Sequence, residues 1–226
     1  MKTVAFIPAR KGSKGLPGKN KKNFHGKPLI QWSIDQAKDS KVFDKIIVSS
    51  DDSDILSIAK TCNVTYTERD ESLATDESRI QDVMYDFFAR PLHECDYICL
   101  LNPTSPLRVV KDITKTFRFV KMKQYHSVVS VKWCDFIGWV GRPTNKGPIC
   151  SYNINDRPNR QTRNDFYLEN GAIYWCKHDV LMGYGNFIGN PAKVKLYEMP
   201  VERSFEIDTP FDWWLAEKVY EYQSMG

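Results

Sequence analysis

Two groups of side chains have the types and spacing for chemistry, and they lie near opposite ends of the sequence. The first is the loop Arg10-Lys11-Gly12-Ser13-Lys14-Gly15-Leu16-Pro17-Gly18-Lys19-Asn20, which follows the apolar run Val4-Ala5-Phe6-Ile7-Pro8. It joins three glycines to the Ser13 hydroxyl and four cations, Arg10, Lys11, Lys14 and Lys19. Residues 1–27 hold eight Lys or Arg and no acid, yet the whole chain carries only +4, so the other 199 residues sum to −4. The positive charge is concentrated in one place. Cations and backbone N–H groups at a strand end suit a polyphosphate. Two common phosphate motifs are excluded by spacing: five positions after Gly12 stands Pro17, Lys19 is followed by Asn20, and the glycines fall at 12, 15 and 18. The loop suits a triphosphate whose α-phosphorus is attacked while pyrophosphate leaves, because fixed cations and donors stabilise the charge that builds. The competing reading is a solvated basic loop; Arg10, Ser13 and three glycines packed at one strand end favour the first.

The second group is Glu206 and Asp208. Two residues apart in an extended segment, they point to one face. Hard oxygen ligands that leave room for water and phosphate fit Mg²⁺. The competing reading is a pair of acids that complement a helix dipole, since Thr209 is a candidate N-cap and Pro210 a candidate first helical residue.

These groups need a scaffold. Thr3–Pro8 reads as a buried strand, Pro28–Ser40 as a helix, Lys45–Ser49 as a second strand, Ser53–Thr61 as a short helix and Val64–Tyr66 as a short strand. Residues 78–90 read as a helix, Tyr97–Leu101 as a strand, 110–122 as a helix and Ser127–Val131 as a strand. Alternating strands and helices predict an α/β, Rossmann-like, mostly parallel sheet with helices on both faces. Ligands then sit beyond the C-terminal strand ends, where Arg10–Asn20, Ser50–Asp52 and Asn102–Arg108 fall. Residues 133–168 are rich in Trp, Pro, Asn, Arg and Gly and lack periodicity; they read as an excursion, either a dimerisation arm or a lid. Strand pattern returns at 171–176 and 194–199. A last helix begins near Thr209, with Trp213, Trp214, Leu215, Val219 and Tyr220 as its apolar face. One domain over 1–226 accommodates all of this.

No run approaches the roughly 20 apolar residues of a membrane span, and no signal-peptide pattern opens the chain. The six cysteines form no CxxC pair and the four histidines have no metal-ligand spacing, so the thiols are expected reduced and the protein cytoplasmic. The negative remainder of the chain disfavours nucleic acid as a partner.

The segment Ile7-Pro8-Ala9-Arg10-Lys11-Gly12-Ser13-Lys14-Gly15-Leu16-Pro17-Gly18-Lys19-Asn20 resembles the signature loop of the acylneuraminate cytidylyltransferases, the CMP-sialic acid synthetases and relatives that activate legionaminic and other nonulosonic acids. The resemblance continues through Phe43–Asp52, Arg69 with Leu73-Ala74-Thr75-Asp76, Leu101-Asn102-Pro103-Thr104-Ser105-Pro106-Leu107-Arg108, Arg160-Gln161, Glu169-Asn170-Gly171-Ala172-Ile173-Tyr174 and Glu206-Ile207-Asp208-Thr209. It implies the nucleotide-diphospho-sugar transferase type of fold. It implies that CTP binds along the first loop and that the anomeric hydroxyl of a nine-carbon 2-keto sugar acid attacks its α-phosphorus. By the same resemblance Arg10, Ser13 and Lys19 serve catalysis, and Arg10, Gly12, Ser13, Lys19, Asn20, Arg69 and Ser78 bind the nucleotide. Asn102, Arg160, Gln161, Asn170 and Phe187 bind the sugar acid, and Asp208 with Glu206 holds Mg²⁺. The Arg157, Arg160 and Arg163 cluster can pair with the sugar's carboxylate; without the resemblance it reads as a solvated or interface cluster. A homodimer through the 133–168 arm is expected.

The family usually has Gln where this chain has Asn102, Asp where it has Glu206, and a Pro-containing pattern where it has Trp133–Trp139. Phe187 matches the sugar-pocket aromatic only loosely. A cytidylyltransferase for the eight-carbon acid Kdo is a rival reading that the Gly12-Ser13-Lys14-Gly15 run disfavours. A nucleotide- or RNA-binding module is a more remote one, and it would bind RNA in a salt-sensitive way.

Overall fold

Short runs of Val, Ile and Phe build the centre of the sheet, and their unbroken burial shows that both sheet faces are covered. The computed structural model describes residues 1–91, 94–134, 139–141, 148–157, 159, 161 and 166–225. In chain order the elements are β1 (Thr3–Pro8), the short β2 (Asn23–Phe24) and β3 (Lys27–Pro28), α1 (Leu29–Ser40), β4 (Lys45–Ser50), α2 (Ser53–Thr61), β5 (Thr65–Glu68), α3 (Ile80–Phe88), β6 (Tyr97–Leu100), α4 (Val110–Lys121), β7 (Ser127–Cys134), β8 (Trp139–Val140), β9 (Ile149–Cys150), β10 (Phe166–Lys177), α5 (His178–Tyr184), β11 (Val194–Glu198) and α6 (Pro210–Ser224).

Seven strands form the main sheet in the order β11-β7-β10-β6-β1-β4-β5. β10 runs antiparallel to both neighbours, β6 and β7, while the other pairs are parallel. One face packs Ile30 and Ile34 of α1, Ile55 of α2 and Ile113 of α4. The other packs Val83, Met84 and Phe87 of α3 and Leu181 of α5. The expected α/β layering is therefore present. From β1 the chain moves one way to β4 and β5, then returns to β6 on the other side. The loops after β1 and β6 diverge at this switch point and open a cleft.

Three boundaries differ from the sequence reading. The strand expected at 171–176 spans Phe166–Lys177, and β7 runs on to Cys134, with Phe166 opposite Cys134 and Tyr167 opposite Trp133. The ends of the 133–168 excursion are thus ladder. Their apolar side chains (Trp133, Phe166, Tyr167 and Leu168) are exposed, so they lack the inward–outward alternation by which a half-buried strand is recognised. The helix expected from 78 starts at Ile80, because the Ser78 hydroxyl is bonded within the preceding turn, to Thr75 N and Ser72 O. In α6, Thr209 is the N-cap, exchanging bonds with Asp212, and Pro210 follows. Trp213 is buried there, but Trp214 is 52% exposed and stacks on Phe211. Neighbouring helix positions are 100° apart, and here that turn carries Trp214 off the buried face that Trp213 occupies.

Candidate active site

The glycine-rich loop leaves β1 at Arg10 and is fixed at three places. Lys11 N donates to Asp51 Oδ1 at 2.8 Å, tying its start to the end of β4. Leu16 is buried with Phe24, Leu29, Leu107, Ile207 and Trp213, which pins its middle to the C-terminal segment. Gly18, at φ 65°, caps a 3-10 turn over Lys19–Lys21, a left-handed conformation that glycine adopts without strain. That turn directs Lys19 inward, where it is 9% exposed.

A cleft of about 500 Å³ opens above these elements. On one side stand Arg10, Gly12, Ser13, Lys14, Lys19 and Asn20 of the loop, with Arg69 after β5 and Ser78 before α3. Arg69 is buried and donates from Nη2 to Ser49 O at 2.9 Å; burial brings its pKa down to about 10. Asn20 is buried too, and its Oδ1 has no hydrogen-bond partner. A buried orphan acceptor facing a cleft marks a place where a donor is wanted. Arg10 Nη1 lies 2.6 Å from Asp76 Oδ1, and Lys14 Nζ lies 2.8 Å from Asp76 Oδ2.

The opposite wall carries Asn102, Thr104, Glu206 and Asp208. Ile207 is fully buried between the two acids and donates from its backbone to Thr104 O. The extended 206–208 segment therefore sends Ile207 into the core and both carboxylates to the cleft. Lys19 Nζ donates to Asp208 Oδ1 at 2.6 Å and to Ile207 O at 2.7 Å. Glu206 faces the open cleft but is backed by protein, and Thr104 Oγ1 donates to it at 3.1 Å. Desolvation, reinforced by the Asp208 charge, raises its pKa. Two carboxylates that repel one another are a fit for a divalent cation. Among the described residues no three His, Cys, Asp or Glu side chains converge, so such a cation would take the rest of its ligands from water or phosphate, as Mg²⁺ does.

Close packing at two glycines holds this wall. A Cβ on Gly15 would lie 2.2 Å from Asp208 O. A Cβ on Gly171, at φ 71°, would lie 2.8 Å from Glu206 Oε2. Asn102 Nδ2 donates to Gly171 O at 2.8 Å, and the fully buried Arg108 donates to Ala172 O and Ser33 Oγ. The wall is thus one bonded unit from the β6 loop to the bulge in β10.

Of the residues predicted from the sequence, the cleft brings together Arg10, Gly12, Ser13, Lys19, Asn20, Arg69, Ser78, Asn102, Glu206 and Asp208. Asn170 is not among its walls. It is 4% exposed, accepts from Ser130 Oγ and Ala172 N, and donates to Ser204 Oγ; its amide is consumed in shaping the β10 bulge. Phe187 packs edge-on against Tyr174 beside the lower core. Gln161 is exposed, with its N–H on Asn159 Oδ1. Arg160, and Arg163 with it, lies outside the described residues. The sequence reading assigned no role to Thr104 or Asp76, although both stand inside the quoted motifs, and it left Gly15 and Gly171 unexplained.

The chain matches the family model described as Cytidylyltransferase over residues 4–225. It is 36% identical over 219 residues to N-acylneuraminate cytidylyltransferase A of Danio rerio, covering 95% of this chain and 50% of that protein. It is 34% identical over 235 residues to CMP-N,N'-diacetyllegionaminic acid synthase of Legionella pneumophila, covering 98% and 97%. The chain thus spans about half the length of the first relative. Among solved structures it is similar to a CMP:2-keto-3-deoxy-manno-octonic acid synthetase complexed with CTP, at a TM-score of 0.73 and 17% identity over 99% of this chain and 100% of that one, a likeness of fold.

Proposed function

The chain belongs to the cytidylyltransferase family, and from that premise we propose that it transfers CMP from CTP to the anomeric hydroxyl of a nonulosonic, sialic-type sugar acid, releasing pyrophosphate. The observation that carries the reading is the convergence, in one cleft, of Arg10, Lys19, Asn20 and Arg69 on one wall and of Asn102, Glu206 and Asp208 on the other. The names of the Danio rerio and Legionella pneumophila relatives, both referring to nine-carbon sugar acids, support the acceptor class.

In this reading the sugar oxygen forms a bond to the α-phosphorus of CTP. The bond from that phosphorus to the bridging oxygen breaks, and the hydroxyl proton is released. Arg10 and Lys19 neutralise charge on the phosphoryl and leaving oxygens, Ser13 helps hold the α-phosphate, and Asn20 and Arg69 hold the nucleotide. No covalent enzyme intermediate is needed, because the sugar hydroxyl is itself the nucleophile. Glu206 and Asp208 would hold Mg²⁺, which when bound supplies Lewis-acid charge to the phosphoryl oxygens. The sugar acid lies on the Asn102 side. Kdo as acceptor is the second reading; the likeness to a Kdo enzyme at 17% identity speaks to the fold, whereas the relatives above 30% identity are named for nine-carbon acids. An RNA surface is disfavoured by the two acids facing the cations.

The exposed Trp133, Trp139, Ile149, Phe166, Tyr167 and Leu168 along the β7–β10 arm support a homodimer formed there, since apolar patches of this kind mark interfaces. The six free cysteines support a reducing, cytoplasmic setting. Among the described residues no helix is long and apolar enough to cross a membrane.

The test is incubation with CTP, Mg²⁺ and a panel of sugar acids, reading pyrophosphate. Release with at least one nonulosonic acid is expected. Silence with every one of them, while CTP binds, refutes the reading.

A further inference from the structure

The segment between Arg69 and Ser78 is built to hold its own shape. Asp70 accepts from Ser72 N and Ser72 Oγ, and the Ser78 hydroxyl bonds Thr75 N and Ser72 O. The segment's root is anchored on β4, through Arg69 N to Ser50 O and the Arg69 guanidinium to Ser49. None of these bonds reaches the glycine loop. Asp76 does. Its two carboxylate oxygens go to two different loop cations, Arg10 at 2.6 Å and Lys14 at 2.8 Å. Both cations line the cleft and Asp76 does not, so the carboxylate joins them from outside the cleft lining. Arg10 engages Asp76 through Nη1, and a guanidinium has four further N–H donors to offer a ligand.

We infer that Asp76 is a positioning residue that fastens the segment carrying Arg69 and Ser78 to the loop carrying Arg10 and Lys14, so that the base-side and phosphate-side contacts of a nucleotide form together. The inference rests on the reading of the cleft as a CTP site. Asp76 contributes no contact to the ligand. Its carboxylate is shared by two cations that line the cleft and keeps the 69–78 segment at a fixed distance from them. Losing it frees the two halves of the site to move apart, and a ligand that must touch both then bears the entropy of bringing them together. A ligand that touches only the cations is spared that loss, and it gains from the removal of a nearby negative charge. The acidity of Asp76 agrees with the geometry: Lys14 and then Arg10 hold its carboxyl below the usual carboxylate range.

The experiment is calorimetric binding of two probes, CTP and inorganic tripolyphosphate, to the full chain and to Asp76→Ala and Asp76→Asn. Two partly exposed ion pairs at stake set the scale, so CTP should bind roughly three- to tenfold more weakly to Asp76→Ala. Tripolyphosphate should bind as tightly as to the parent chain, or more tightly. Asp76→Asn, which keeps an acceptor without the charge, should fall between the parent and Asp76→Ala for CTP. Equal weakening of both probes would overturn the inference, because Asp76 would then act on the cations alone. Unchanged or tighter CTP binding would overturn it too, by reducing the contact to a surface ion pair. Matching melting temperatures of the three proteins are the control for folding. If the parent chain takes tripolyphosphate but not CTP, it is the cytidylyltransferase reading that falls, a distinct result.

Discussion

Two glycines of one loop, three residues apart, should respond oppositely to the same added methyl group. A Cβ on Gly12 would meet nothing within 4 Å, whereas one on Gly15 would lie 2.2 Å from Asp208 O and 3.2 Å from its carbonyl carbon. An ordinary contact is roughly 3.5 Å, so the loop and the 206–208 segment must part by about 1 Å or more in Gly15→Ala. The obstacle is backbone, and no side chain can rotate away. Overpacking of this kind costs about 1–3 kcal/mol. The displacement also loosens the Lys19 bonds to Ile207 O and Asp208, adding about 1 kcal/mol for a hydrogen bond whose carboxylate partner is largely solvated. The sum is about 2–4 kcal/mol, which for a domain of this size lowers the melting temperature by roughly 5–15 °C. Gly12→Ala should change stability by no more than about 0.5 kcal/mol. Thermal unfolding of the two variants beside the parent measures both, and pyrophosphate release from Gly15→Ala should fall with the displaced Asp208. If Gly15→Ala melted within roughly 2 °C of the parent, the close approach of the loop to Asp208, and with it the account of how the two walls meet, would be wrong.

Arg69→Met should separate stability from binding. Ser49 O keeps a partner in Ala9 N at 2.9 Å, so no backbone acceptor is orphaned, and removing a desolvated cation should leave the melting temperature equal or higher while CTP binding is lost. Lys19→Ala should reduce pyrophosphate release by on the order of 100-fold, and a reduction below about fivefold in single-turnover rate would contradict its place beside the phosphates. Asp208→Asn should raise the Mg²⁺ concentration needed for half-maximal release while leaving melting in metal-free buffer close to the parent; an unchanged Mg²⁺ requirement would leave Asp208 only its pairing with Lys19. Asp44 accepts from Thr3 N at 2.7 Å and from Thr3 Oγ1 at 3.1 Å, and the backbone bond leads in lowering its pKa. A depressed carboxylate stabilises fully above its unfolded pKa of about 4 and loses that contribution as pH falls through the lower folded value. The melting gap between the parent chain and Asp44→Asn should therefore narrow as the pH falls below about 4, and a gap that stayed constant or widened in acid would contradict the assignment.

The buried strands were legible because a strand covered on both faces must be apolar throughout. The runs Val4–Ile7 and Ile46–Val48 announce their strands in that way, and the glycine loop announces its charge. The motif-bearing residues of the loop side of the cleft, Arg10, Lys19, Asn20 and Arg69, were likewise readable, because each sits immediately beyond a strand or in the loop that follows one. What the sequence did not disclose depends on contacts between distant segments. Asn170 carries the amide expected of a ligand contact, but three bonds to Ser130, Ala172 and Ser204 spend it on a bulge, and only the register of β10 against β7 reveals that. Gly171 reads as one more strand residue until Glu206 is seen lying against it. Asp76 has no role legible in the sequence until two loop cations are found on it. Trp214 fails for a simpler reason: aromatic content suggested burial, but α6 buries a narrow face that takes Trp213 and Ala216 and leaves Trp214 outside.

Lys19 and Asp208 stand 189 positions apart. At roughly 5–20 residues per second of synthesis, the growing chain carries its phosphate-side loop for about 10–40 s before the opposing carboxylates have been made. During that interval the loop's cations have no opposing wall. The cleft is complete only once the 206–208 segment lies beside Thr104 and Gly15. A chain cut short before that point lacks one wall of its cleft, however well its sheet has formed.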